Sequence, residues 1–515
     1  MTDVTSVLPL AAVLIPALAV PLVYASRFRP NLREAWTFLT AAATLVVVGI
    51  LTNADVTHVT PLGSVAGVDF TLRADAAGLL FALLAATLWL VTSLYSVGYM
   101  RGLNEGSQTR YFAAFAGSIA ATMGVAFSAN LFTLFVFYEL LTLATYPLVV
   151  HDGTAEARSA GRTYLAYTLG GGVLVLAGVV LVGVLTGTFA FVPGGIVDIG
   201  GADPMLARAA FALLAVGFGV KTAVMPLHGW LPTAMVAPTP VSGLLHAVAV
   251  VKSGVFALSR TVLYVFGPDA TWDLGMGLPL AVAAAVTMLV AGLVGIRQDN
   301  LKRGLAYSTI SQLSYIALGL ALATPVAVFG ALLHVVAHAF MKITLFFAAG
   351  VIYVETGEKY VSDLAGVGRR LPLTMTAFAV AAAGLVGFPL VAGFVSKFTM
   401  VVGAAGGPDP VFVAVYLVAG VLKLLYFWPI VYTAFFGERG AETPESRHAF
   451  APPHATDGGD VDRVAWERPT FGSEASRAIL LPVLVTVGGA VLLGVVPTVL
   501  PFWELAETVV TEVFA

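Results

Sequence analysis

Fourteen stretches of this 515-residue sequence are apolar for long enough to cross a lipid bilayer, a task that takes about 20 helical residues. They fall near 6–26, 35–52, 75–99, 111–128, 130–150, 162–188, 206–226, 240–264, 276–296, 304–322, 326–354, 373–402, 410–436 and 478–501. Within hydrocarbon each backbone N–H and C=O must be satisfied by the chain itself, which leaves helical bundles or closed barrels. Runs of this length select helices. The expected fold class is therefore an all-α integral membrane protein. Asp, Glu, Lys and Arg together make up 11% of the chain, against a usual share of about 25%, too few to cover a soluble surface of this size. The formal charge is −3, with no basic face for nucleic acid. The chain has no cysteine, which excludes disulfides, iron–sulfur ligation and thiolate zinc, so any redox step would belong to other chains. The first run has no basic segment before it, since the first arginine is Arg27, and it reads as a retained helix rather than a signal peptide.

The basic residues orient the spans. Of 26 Lys and Arg, 18 fall in alternate loops, among them Arg27, Arg29, Arg33, Arg101, Arg110, Arg158, Arg162, Arg297, Lys302, Arg303, Lys359, Arg369 and Arg370. Only Arg73, Arg208 and Arg260 are assigned to the other side. The positive-inside rule makes the 18-residue side cytoplasmic, with both termini outside a cell membrane. Residues 437–477 are polar and rich in Pro and Gly, and read as a cytoplasmic connector. The tail PFWELAETVVTEVFA reads as a short interfacial helix with Glu504, Glu507 and Glu512 toward water.

Charge inside the spans is selective. Nineteen basic residues are Arg, and none is expected at mid-span. Five of the seven lysines are within spans: Lys221, Lys252, Lys342, Lys397 and Lys423. Glu139 is the one acid clearly at mid-span. An ionisable group at the bilayer centre costs roughly 2.5–3.5 kcal/mol on insertion scales. A structural Lys–Glu pair accounts for one lysine, not five. Burial lowers a lysine pKa toward neutrality, whereas Arg keeps its proton, so lysine alone suits a proton path. His334, His338 and Lys342 recur every fourth position and share one helical face. A His–His i,i+4 pair can bind zinc, but no carboxylate or thiolate accompanies it, and structural histidines at a helix contact are the plainer alternative. A proton relay is preferred, because neutral imidazole both donates and accepts near pH 7. His246 lies six positions before Lys252 and does not share its face.

Two lysine-bearing spans also carry proline: Lys221 precedes Pro226 by five residues, and Pro389 precedes Lys397 by eight. Proline interrupts a helix and frees carbonyls, and interrupted helices in both halves mark repeat-built transporters. In each half a further lysine, Lys252 or Lys423, follows on the next span. The expected organisation is 1–110 with three spans, five-helix units at 111–264 and 276–436 in inverted orientation, the connector 437–477, and a last span with tail at 478–515.

The segments FTLFVFYELLTLATYPLV, KTAVMPLHGWLPTAMVAPTPVSGLLHAVAVVKSGVF, HAFMKITLFFAAGVIY and GFPLVAGFVSKF resemble the antiporter-like, proton-conducting membrane subunits. That superfamily includes the A-type and D-type subunits of the multi-subunit Na+/H+ (Mrp-type) antiporters, the three large antiporter-like subunits of respiratory complex I, and subunits of related hydrogenases. The resemblance runs from about 70 to 437. It implies 14 helices with two inverted five-helix repeats. It implies Glu139 as the modulating glutamate of Lys221, Lys252 with His246 on a central polar axis continued by His334 and His338, and Lys397 as the terminal lysine, with Lys342 and Lys423 in support. ETGEKYVSDLAGVGRRLP and YFWPIVYTAFFG look most like the D-type antiporter subunit. The expected function is the proton-translocating subunit of a monovalent cation (Na+)/H+ antiporter, with other membrane subunits as partners and no cofactor or metal. The alternatives are a non-redox subunit of a complex I-like oxidoreductase or membrane hydrogenase, and a membrane partner in a bicarbonate-uptake complex.

Overall fold

The computed structural model describes residues 3–53, 56–65, 67–438 and 472–515. Nearly all of the expected connector at 437–477 lies outside the described residues. The long helices are α1 (Leu8–Ala25), α2 (Pro30–Thr52), α3 (Ala76–Gly102), α4 (Gln108–Ala126), α5 (Leu131–Val149) and α6 (Ala155–Thr186). They continue with α7 (Pro204–Thr222), α8 (Thr239–Phe266), α9 (Gly277–Ile296), α10 (Leu301–Leu322) and α11 (Pro325–Thr356). Last come α12 (Pro372–Val386), α13 (Ala392–Ala405), α14 (Val411–Phe436), α15 (Arg477–Val495) and α16 (Phe502–Val513). Twelve helices among the described residues are long and apolar enough to cross a membrane; α4 is outside that set, and α12 and α13 are shorter apolar helices.

Local chemistry starts several of these helices where the sequence offers a short polar side chain. Asp75, Asn130, Thr154, Asn300 and Thr324 each accept a backbone N–H of the first turn they precede, satisfying a donor that would otherwise be orphaned. Pro325 then occupies the first turn of α11, where its missing N–H is harmless. Gly357, at φ 76°, closes the same helix, in a conformation that glycine reaches without a Cβ penalty.

Burial sorts the helices into centre and rim. The most apolar windows of α8 and α11 are 100% buried and that of α10 is 94%, while those of α1, α2 and α14 are 33%. The rim turns apolar side chains outward, for example Leu18, Leu39, Val184, Leu417, Val421 and Trp428. An apolar exterior around a polar-bearing centre is what lipid as solvent demands. This is a multi-pass membrane protein. At 1.5 Å per residue the 32 residues of α11 reach roughly 48 Å, longer than a hydrocarbon core of about 30 Å.

The structure adds an element that the all-helical expectation left out. β1 (Asp3–Thr5) pairs in parallel with β2 (Thr57–Val65), which pairs antiparallel with β3 (Val68–Ala74). The small sheet covers one end of the bundle: Arg73 N–H donates to Phe127 O, and Arg73 pairs with Asp3 at 3.0 Å. The alternation in VDFTLRA carried that signal. The tail is helical as expected, with Glu504 and Glu507 exposed and Glu512 half-buried. Its apolar face packs on α3 and α11, with Trp503 edge-on to Phe329 at 4.8 Å.

Arg260, near the end of α8, is fully buried and bonded to Asp75 at 2.5 Å. Rings of Phe191, Phe256 and Tyr264 surround its guanidinium, which an arginine tolerates by cation–π contact.

Candidate functional site

Both expected interruptions are present. α7 ends at Thr222, and Ala223 takes a left-handed conformation at φ 59°. The freed backbone is bonded by neighbours: Trp230 Nε1 donates to Val220 O at 2.8 Å, and Met225 N–H donates to Thr287 Oγ1 at 3.0 Å. α12 ends at Val386 and α13 begins at Ala392, with Gly387 at φ 112° and Leu390 at φ 69° in the gap.

Lys221 is fully buried in the last turn of α7. Its ammonium does not ion-pair with Glu139. It donates to Tyr138 O at 2.5 Å and lies 3.3 Å from the centroid of the Tyr138 ring. Glu139 and Lys221 nevertheless act on each other electrostatically. Glu139 Oε1 is buried without a hydrogen-bond partner. The carboxylate occupies space left by Gly172 of α6, where an added Cβ would sit 2.6 Å from Oε1. α8 crosses directly on this site, since a Cβ at Gly254 would meet Thr222 N at 2.6 Å.

From α8 onward the polar groups follow one another. Lys252 Nζ is 2.8 Å from His338 Nδ1. The rings of His338 and His334, one turn apart on α11, have centroids 6.2 Å apart. His334 Nε2 is 2.8 Å from Gln312 Oε1, and Nδ1 is 2.8 Å from Ser396 Oγ. Gln312 Nε2 donates to Leu385 O at 2.9 Å. That bond fixes the amide orientation, so Nε2 of His334 is the donor to Oε1 and Nδ1 of the neutral ring accepts from Ser396. Lys397 Nζ also donates to Leu385 O, and to Val386 O at 3.4 Å. The lysine of α13 thus holds carbonyls that the end of α12 leaves free. Each of these side chains is at most 7% exposed.

Lys342, one turn beyond His338 on α11, donates to Ser308 Oγ at 2.8 Å and Leu305 O at 3.3 Å. Lys423 of α14 is 1% exposed and acts electrostatically on Lys342 and Lys397. His246 is fully buried, stacks near Phe346 at 4.7 Å, and has neither ring nitrogen bonded. It lies in a π-helical turn, Leu244–Val248, where Ala249 N–H reaches back to Leu244 O. A second π segment spans Thr261–Phe266. Such turns concentrate at functional sites, and a reading that counted residues at α-helical spacing missed both. It also missed Tyr138, Gln312, Ser308, Ser396 and Gly172, because neutral polar residues and glycine are ordinary in membrane helices.

The architecture and this buried axis define a multi-pass membrane protein with titratable groups at its centre. A family model described as "NADH:quinone oxidoreductase/Mrp antiporter, TM" matches residues 128–423, and the chain belongs to that family. NADH-quinone oxidoreductase subunit N of Desulforudis audaxviator is 34% identical over 431 residues, covering 83% of this chain and 82% of that protein. The A/B-type subunit of a probable K(+)/H(+) antiporter of Rhizobium meliloti is 35% identical over 391 residues, 74% of this chain and 38% of that protein. This chain therefore spans well under half of the Rhizobium relative. Among solved structures, the Mrp complex from Dietzia sp. DQ12-45-1b contains a chain with TM-score 0.84 at 24% identity, covering 99% of this chain and 97% of that one. That likeness concerns the fold. Relatives thus include both antiporter and quinone-oxidoreductase subunits.

Proposed function

We propose that this chain is the proton-translocating subunit of a multi-subunit monovalent cation/proton antiporter, of the D-type and with sodium as the exchanged cation. The observation that carries the reading is the run of hydrogen-bonding groups from Lys252 through His338, His334 and Gln312 with Ser396 to Lys397, buried across α8, α10, α11, α12 and α13. A proton loads Lys221 or Lys252, passes through the imidazoles with water bridging the gap between the two rings, and leaves by Lys397. Glu139, when ionised, favours a charged Lys221, and low-dielectric surroundings strengthen that coupling. His246, Lys342 and Lys423 extend the axis. Sodium need not bind here, since a dehydrated cation wants several oxygens and these spans offer one clear carboxylate; a neighbouring chain of the complex supplies its site.

The same reading completes the topology. With α4, and with α12 and α13 taken as one interrupted crossing, the twelve apolar spans become fourteen. They divide into inverted five-helix units at 111–264 and 276–436, and both termini lie outside a cell membrane.

In vesicles carrying the whole complex, Glu139→Ala and Lys221→Ala each abolish antiport while the complex still assembles. Full sodium-dependent proton exchange by both variants discards the scheme. The quinone-oxidoreductase relative from Desulforudis, matched over most of its own length, favours a second reading, a non-redox subunit of a complex I-like assembly. Intact-mass spectrometry separates the two: co-purifying iron–sulfur subunits select the oxidoreductase.

A further inference from the structure

Just beyond the ends of α3 and α5, three potential ligands converge outside the buried axis. One ligand-capable atom from each of Glu105, His151 and Asp152 lies within 4.8 Å of the other two. Asp152 is exposed and Glu105 half-buried. His151 is only 6% exposed, and its ring is held by a backbone hydrogen bond with Gly106. The surroundings hold the group in position. His151 O accepts from Arg110 at 2.7 Å, and the ring stands edge-on to Tyr111 at 5.6 Å. Glu105 O accepts from Gln108 Nε2 at 3.0 Å, and Gln108 Oε1 in turn accepts from Arg33 at 2.6 Å.

We propose that Glu105, His151 and Asp152 form a binding site for a divalent transition-metal ion of the zinc class. One imidazole with two carboxylates supplies three of four tetrahedral positions and leaves the fourth to solvent. The imidazole selects against magnesium and calcium, which take oxygen ligands.

The test uses the full chain in its purified complex, titrated with zinc against a chromophoric chelator. The parent should take up one zinc ion per chain at this site, and affinity should fall by about tenfold or more in Asp152→Asn and Glu105→Gln. These side chains reach solvent, so neither variant threatens the fold; His151→Gln should lose binding as well. Cobalt substitution should give the visible absorption of a four-coordinate nitrogen–oxygen site in the parent only. Unchanged zinc affinity in the carboxylate variants, or no uptake by the parent up to millimolar zinc, overturns the site. Binding is read without transport, so failure of the site and failure of the proton path are told apart.

Discussion

Lys397 reaches from α13 across the break to Leu385 and Val386, carbonyls at the end of α12. A lysine there can bond those carbonyls and still release a proton; an arginine can do only the first. Lys397→Arg is therefore expected to reduce proton turnover in vesicles at least about tenfold, with assembly intact, because the guanidinium retains its proton. Normal turnover would contradict the proton path. Gly172 offers a second test beside Glu139. Gly172→Ala sets a methyl against the carboxylate and should impair transport, whereas Gly170→Ala, on the same helix with nothing within 4 Å, should leave it unchanged. Equal flux in the two variants removes any role for the carboxylate's position. That Lys221, Lys252, Lys342, Lys397, Lys423, His246, His334 and His338 lie inside the spans was legible in the sequence, since the cost of charge in hydrocarbon applies to each residue wherever its neighbours lie. Their partners were not: Gln312 and His334 are 22 positions apart, and His334 and Ser396 are 62 apart.

At the scale of single elements, proline and glycine announced where α7 ends and where α12 gives way to α13. They did not announce how closely the two pieces approach at the break. A Cβ at Gly393 would run into the carbonyl oxygen of Gly384, so the two half-helices touch backbone to backbone. Gly393→Ala is expected to cost about 1–3 kcal/mol by overpacking, seen as a lower unfolding temperature in detergent. Gly488→Ala in α15, with nothing within 4 Å, serves as the neutral control. Equal melting of the two proteins would refute the close approach. The π turns of α8 escaped the sequence reading for a related reason. Apolar periodicity reports which face is buried, and the window of α8 is buried all round, so no face remained to betray a shift in register.

Across the whole molecule, Arg260 joins α8 to the start of α3 through Asp75, which also caps α3. Asp75→Asn keeps the cap but leaves a fully buried guanidinium without its counter-charge. Removing one partner of such a pair costs roughly 3–5 kcal/mol. The variant should melt well below the parent in detergent, and the double variant Asp75→Asn with Arg260→Met should recover much of the loss. No change in the single variant would mean that water already compensates the charge. What the sequence did not reveal is the partner of Arg260, because the positive-inside rule counts residues without asking what they touch.

The sequence by itself determined that the chain lives in a membrane, where its helices run, and that lysine and histidine occupy their interior. Transfer from water to hydrocarbon acts on each residue separately, so its outcome can be read locally. Only the tertiary structure decided the order in which those groups meet, the small sheet over one end, the rescue of Arg260, and the closeness of Lys221 to Tyr138 rather than to Glu139. Each of these depends on contacts between residues far apart along the chain, and hydropathy carries no record of which helix faces which.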